Sequence, residues 1–139
     1  MNRFKRYRSH FLWSLACFTA FALVSCTRSG NSETTLPETV DYNYHIRPIL
    51  SDRCFKCHGP DVKQRKADLQ LYSAEGAYHA LKDNPKAHAI VPGHADQSEA
   101  YLRISTADTS MVMPPVSSNL SLTGFEIAMI KKWIDQGAK

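Results

Sequence analysis

The sequence is poor in the features that mark disulfide scaffolds, membrane-spanning proteins and nucleic-acid binders. It has only four cysteines in 139 residues, too few for the stapled framework of a small secreted domain once each has been assigned. Its most apolar run, residues 11–24, falls short of the roughly 20 residues that a spanning helix needs. The apolar–polar alternation of half-buried strands is nearly absent, and no internal repeat is visible. The formal charge of +4 is a property of the N-terminus, where Arg3, Lys5, Arg6 and Arg8 stand without a single acid. Removing those four takes Lys+Arg from 17 to 13, equal to the 13 Asp+Glu. With a near-neutral remainder, nothing suggests nucleic-acid binding.

What is present begins with targeting. Four cations, then a short apolar run, then Leu23-Val24-Ser25-Cys26 make a signal peptide over 1–25. The last four residues resemble a bacterial lipobox. In such signals the peptidase cuts before the cysteine, whose thiol carries diacylglycerol, so Cys26 is the expected lipidation site and first mature residue. Cys17 is a weaker candidate, because Ser14 stands where an aliphatic residue is usual. The mature chain of about 114 residues suffices for one small domain. Residues 26–39 are rich in Ser, Thr and Glu and poor in apolar side chains, which predicts a flexible tether. A folded domain is expected over 40–139.

The chemistry is concentrated in Cys54-Phe55-Lys56-Cys57-His58. C-x-x-C-H is the attachment pattern of c-type haem. Two thiols add across the two vinyl groups of one porphyrin, and two intervening residues let a single backbone turn bring both sulfurs to that edge. The adjoining histidine then supplies an axial nitrogen. A structural zinc site would need two more ligands at short spacing. The other mature cysteine is the lipidation candidate, and His79, His88 and His94 are scattered over a polar stretch. A redox dithiol would open a helix within a βαβ pattern, which the sequence does not show. One covalent haem c is therefore the expected cofactor, with Cys54 and Cys57 as attachment sites and His58 as ligand.

Helix signals outnumber strand signals. Tyr42, Ile46, Ile49 and Leu50 share one helical face, with Pro48 placed best in a first turn. Ser73 is a candidate cap for a helix over 74–81, and Ser98 for one over 99–105. Thr123-Gly124-Phe125-Glu126 has the capping-box form, with Leu122 and Ile127 placed as a hydrophobic staple. Phe125, Met129, Ile130, Trp133 and Ile134 then make one apolar stripe, and Gly137 is a helix stop. The predicted fold is all-α: a few short helices around haem, which supplies much of the core.

A second axial ligand is expected from the mature methionines. Met129 lies on the helix stripe and reads as core. Met113-Pro114-Pro115 lies in a turn-rich segment that proline stiffens, which favours Met113. Met111 is its local rival, and His79, His88 and His94 would give a bis-His haem of lower potential.

Taken in order, these segments resemble the planctomycete-type cytochrome c domain. The resemblance is carried by Asp41-Tyr42-Asn43-Tyr44-His45-Ile46-Arg47-Pro48-Ile49-Leu50 and by Cys54-Phe55-Lys56-Cys57-His58-Gly59-Pro60-Asp61. Further matches are Lys66-Ala67-Asp68-Leu69-Gln70-Leu71, Ile90-Val91-Pro92-Gly93, Ser98 with Leu102-Arg103-Ile104, Met113-Pro114-Pro115, and Trp133-Ile134-Asp135-Gln136-Gly137-Ala138. It implies a cytochrome c-like fold with first and last helices crossing. It also implies thioethers at Cys54 and Cys57, His58 as proximal ligand and Met113 in the family's Met-Pro-Pro position.

The expected function is electron transfer by a lipid-anchored, periplasm- or exterior-facing monohaem cytochrome c of a bacterial envelope. The iron of this metal-binding protein would be held by His58 and Met113. Its partners would be redox proteins, and it would be a carrier rather than an enzyme. The family's domain often opens a longer protein, whereas this chain stops at Lys139. A haem module of a larger oxidoreductase is therefore the alternative, with a five-coordinate haem sensor as a further one.

Overall fold

The computed structural model describes residues 35–139. The expected signal peptide, Cys17, Cys26 and most of the tether lie outside these residues.

A π-helical turn, Tyr42–Ile46, opens on Asp41, whose carboxylate accepts the Tyr44 N–H at 2.8 Å. It leads directly into α1 (Arg47–Arg53), with Pro48 in the first turn, where no backbone donor is lost. Cys54 ends α1 and starts α2 (Phe55–His58), a single turn. α3 (Ala74–Tyr78) is capped by Ser73, which accepts the Gly76 N–H. The strands β1 (Ala80–Leu81) and β2 (Asn84–His88) form an antiparallel hairpin. A 3₁₀ turn at Ala95–Gln97 precedes α4 (Glu99–Ser105), another at Val116–Ser118 follows the methionine segment, and α5 (Gly124–Asp135) closes the domain. Among the described residues no helix is long and apolar enough to cross a membrane.

The fold is thus helical with a small sheet, which corrects the all-α expectation. The helix expected over 74–81 stops at Tyr78 because His79 is extended (φ −66°, ψ 156°). Leu81 instead pairs with Asn84 across the two-residue turn Lys82-Asp83. Asp, Asn and Pro in close succession favour a chain reversal, and Pro85 is tolerated because the two-stranded sheet has edges on both sides. Two residues of strand are too short for alternation to register.

Ser98 departs from expectation in a different way. It stands at the N-cap of α4, but its side chain makes no capping bond. Fully buried, its hydroxyl accepts the Val91 N–H (2.9 Å) and donates to the His94 carbonyl (2.8 Å). It satisfies the buried loop before the helix rather than the helix end.

α5 follows its sequence closely. Thr123 and Glu126 exchange bonds as a capping box. At the other end, Gly137 takes φ +96°, its N–H reaches Ile134 O, and Ala138 N–H reaches Trp133 O, both at 2.9 Å. That double closure is a Schellman motif, and its left-handed residue favours glycine. Met129, Ile130, Trp133 and Ile134 are buried.

The two ends of the domain are joined. Arg53 pairs with Glu126 at 3.4 Å, Tyr42 packs on Trp133 with ring centroids 5.6 Å apart, and Val40 N–H donates to Gln136 Oε1 at 2.9 Å. The Tyr78 hydroxyl donates to the Ala138 carbonyl, and Trp133 Nε1 to Lys139 O at 2.8 Å. Much of the core these contacts enclose, including Leu50, Leu71, Ile90, Ile130 and Trp133, also forms the wall of a cavity.

Candidate haem site

The C-x-x-C-H segment is wound into one tight turn. Cys57 N–H and His58 N–H both donate to the Cys54 carbonyl, at 3.0 and 2.9 Å. The returning loop is tied to the same turn: Lys66 N–H donates to Cys57 O (2.8 Å) and Leu71 N–H to His58 O (2.9 Å). Gly59 is required by close approach. A Cβ there would stand 2.3 Å from the Phe55 carbonyl oxygen and 2.9 Å from Phe55 Cβ, so any side chain would push the turn apart.

A cavity of about 370 Å³ opens beside this turn, within the range of cofactor and ligand sites. Cys54, His58 and Met113 line it together. Its remaining wall is largely aliphatic, from α1, the returning loop, the hairpin, α4 and α5, with Trp133 as its aromatic member. Cys57 is half-buried and is not on the cavity wall. Met113 packs on the core, and its N–H donates to the Arg103 carbonyl at 3.0 Å, which fixes the methionine segment to α4. Its rival Met111 is 46% exposed and lies off the cavity. Neither His79, His88 nor His94 lines the cavity. His88 Nδ1 is engaged with the Tyr78 carbonyl at 2.7 Å, which ties α3 to β2.

Burial governs the electrostatics. Desolvation pushes the Cys54 thiol up to about 11, against the opposing pull of Arg53. Burial also lowers the pKa of His58, which favours the neutral imidazole that can offer a lone pair to a metal. The Lys66 main chain opposes that shift but closes no hydrogen bond of acceptable geometry to Nδ1, which is buried without a partner. Among the described residues no group of three His, Cys, Asp or Glu side chains is placed to hold a bare metal ion. An apolar cleft with one imidazole, one thioether and an adjoining pair of thiols suits a metal already enclosed in a large apolar ring. The residues present fit haem: thiols for its vinyl groups, a nitrogen and a soft sulfur for its iron, and aliphatic walls for its faces.

Sequence reasoning missed three contributors. The Arg103 carbonyl holds the methionine segment, and nothing in a sequence announces a main-chain acceptor. Ile130 and Trp133 read as a helix stripe, and periodicity does not tell a core face from a cavity face. No curated protein and no solved structure matches the chain. The turn, the returning loop, the hairpin, α4 and the methionine segment together make up residues 54–117, and that stretch matches the family model of Planctomycete cytochrome C.

Proposed function

We propose that this chain is a monohaem c-type cytochrome that carries electrons at a bacterial cell envelope, tethered by lipid on Cys26 and facing the periplasm or exterior. The family match supports haem-based electron transfer by a carrier. The observation that carries the finer reading is the convergence of Cys54, His58 and Met113 on one apolar cavity. Bound haem supplies one-electron exchange at its iron. The chain's residues do the rest. Cys54 and Cys57, brought together by one tight turn, would hold the group covalently. His58, kept neutral by burial, offers a nitrogen, and Met113, held by the Arg103 carbonyl, offers a thioether. The aliphatic wall excludes water and so lowers the local dielectric. His58 and Met113 would both be held by the iron of such a group, which favours a carrier whose partners are redox proteins that approach the domain surface.

The test is a pair of measurements on protein matured with a haem-attachment system. Haem staining on a denaturing gel reports covalent attachment, and the visible spectrum of the oxidised protein reports the ligands. A colourless band overturns the reading. A high-spin spectrum with ready binding of cyanide or carbon monoxide replaces the carrier with a five-coordinate sensor or enzyme module.

A further inference from the structure

The cavity wall is not uniformly apolar. Apart from Cys54 and His58, its polar side chains are Lys82, Asp83, Asn84, Glu99 and Arg103. They come from two elements only, the hairpin turn and α4, and none comes from the turn that bears the cysteines. These two elements are stitched together: His88 bridges to Ser98, and Ala100 N–H donates to Ala89 O at 2.9 Å. The charge on the lining therefore comes from the hairpin turn and α4, while α1, the returning loop and α5 supply apolar surface.

An amphipathic ligand is oriented by such a cavity. Haem has two vinyl groups on one edge and two propionates on the opposite edge. Thioethers at Cys54 and Cys57 would commit the vinyl edge, so two carboxylates must be received elsewhere on the wall. Within the polar wall the cations are Arg103 and Lys82. Arg103 meets Glu99 through Nε at 3.3 Å, an i,i+4 pair within α4. That ion pair engages Nε, which leaves the two terminal amino groups to bind a second carboxylate end-on. Both side chains are only partly exposed, 38% for Arg103 and 25% for Glu99, so the pair stands at the cavity rim rather than free in solvent. Lys82 is exposed at the tip of the hairpin and has no ion pair among the described residues. Asn84 adds a neutral amide donor. Asp83, exposed in the same turn, is the one opposing charge not already paired with a cation.

We propose that this wall is the carboxylate-binding end of the cavity, with Arg103 and Lys82 receiving the two haem propionates and Glu99 holding the Arg103 guanidinium in position. The proposal rests on the haem reading above. Arg103 then has two separable roles: its main-chain carbonyl holds Met113, and its side chain neutralises a carboxylate. Substitution removes only the second. Neutralised propionates stabilise ferric iron less, so the cations raise the reduction potential and their loss lowers it.

The experiment uses the matured holoprotein and the variants Arg103→Gln, Arg103→Lys, Lys82→Gln and Glu99→Gln, with Lys63→Gln, exposed and off the cavity lining, as a control for surface charge elsewhere. Three readouts are taken: the midpoint potential, the propionate bending modes in resonance Raman, and the absorption band that reports thioether ligation. In Arg103→Gln the equilibrium for reduction should fall about tenfold, about 59 mV for a one-electron couple. The propionate modes should shift while the ligation band stays. Arg103→Lys should recover most of the potential, and Lys82→Gln should act in the same direction more weakly because it is screened by solvent. Glu99→Gln should raise the potential and also shift a propionate mode, which keeps the test intact should Arg103→Gln fold poorly. Unmoved propionate modes in Arg103→Gln and Glu99→Gln overturn the proposal, as does a potential shift in Lys63→Gln equal to that in Arg103→Gln. Failure of the underlying reading is distinguishable: a protein without covalent haem overturns both, whereas attached haem with unmoved modes overturns this proposal alone.

Discussion

Met113 is held to α4 by its own backbone: its N–H donates to the Arg103 carbonyl at 3.0 Å. The bond acts on the main chain, so the thioether is presented to the cavity whatever the Arg103 side chain does. The Met113–Pro114 peptide is cis, and the chain leaves the site immediately after it.

The proposed ligand role of Met113 is tested by two substitutions. Sulfur ligation to ferric iron gives a weak absorption band at the red edge of the visible, and a soft thioether raises the potential relative to a second imidazole. Met113→Ala should abolish the band and lower the potential. Met111→Ala, at an exposed position off the cavity, should change neither. The opposite pattern would transfer the ligand role to Met111.

Attachment is read on a denaturing gel. Wild type should stain for haem after acid–acetone extraction. Cys54→Ala and Cys57→Ala should each weaken or abolish the stain, and the double variant should be blank. Stain of full strength in the double variant would show that haem is not held by these thiols.

Gly59→Ala should destabilise the domain by about 1–3 kcal/mol, the usual cost of overpacking, because the new methyl meets the Phe55 carbonyl at 2.3 Å. Chemical denaturation of the holoprotein measures it. A midpoint equal to wild type would mean that the turn relaxes freely.

The capping box predicts an acid-sensitive contribution. Burial alone would raise the Glu126 carboxyl, but the Thr123 N–H and hydroxyl, together with Arg53, hold it below the usual carboxylate range. A depressed folded-state pKa stabilises above the unfolded value and is lost as pH falls through the folded one. Thr123→Ala should cost about 1 kcal/mol at neutral pH. The deficit of Glu126→Gln relative to wild type should shrink as the solution is acidified below the usual carboxylate range. A deficit independent of pH would show that the Glu126 charge contributes nothing.

The proposed lipid anchor rests on residues outside the described structure and is tested in cells. Wild type should fractionate with membranes and incorporate labelled fatty acid, because several acyl chains together give stable binding. Cys26→Ala should lose both properties. A wild type without label would make the segment an ordinary secretory signal.

How much of this was readable in advance follows physical lines. Cys54, Cys57 and His58 stood out because rare residues occur at a spacing that one backbone turn explains. α5 was legible because its capping box, stripe and glycine stop are all local. The hairpin was not legible, since two-residue pairing leaves no alternation and the turn residues between Leu81 and Asn84 also suit a frayed helix end. Ser98 shows the same limit: a serine before a helix reads as a cap, and only the buried Val91 and His94 groups reveal that it serves the loop behind it. Arg103 and Lys82 belong to separate elements, and only folding puts both on the lining of one cavity.

The burial of Cys54 bears on the order of assembly. In the closed domain its thiol is mostly shielded and its pKa stands at about 11, so the thiolate that makes cysteine reactive is scarce there. The same side chain in an open chain is accessible and ionises nearer its ordinary value. On the haem reading, thioether formation is therefore easier while the chain is open than after the helices close.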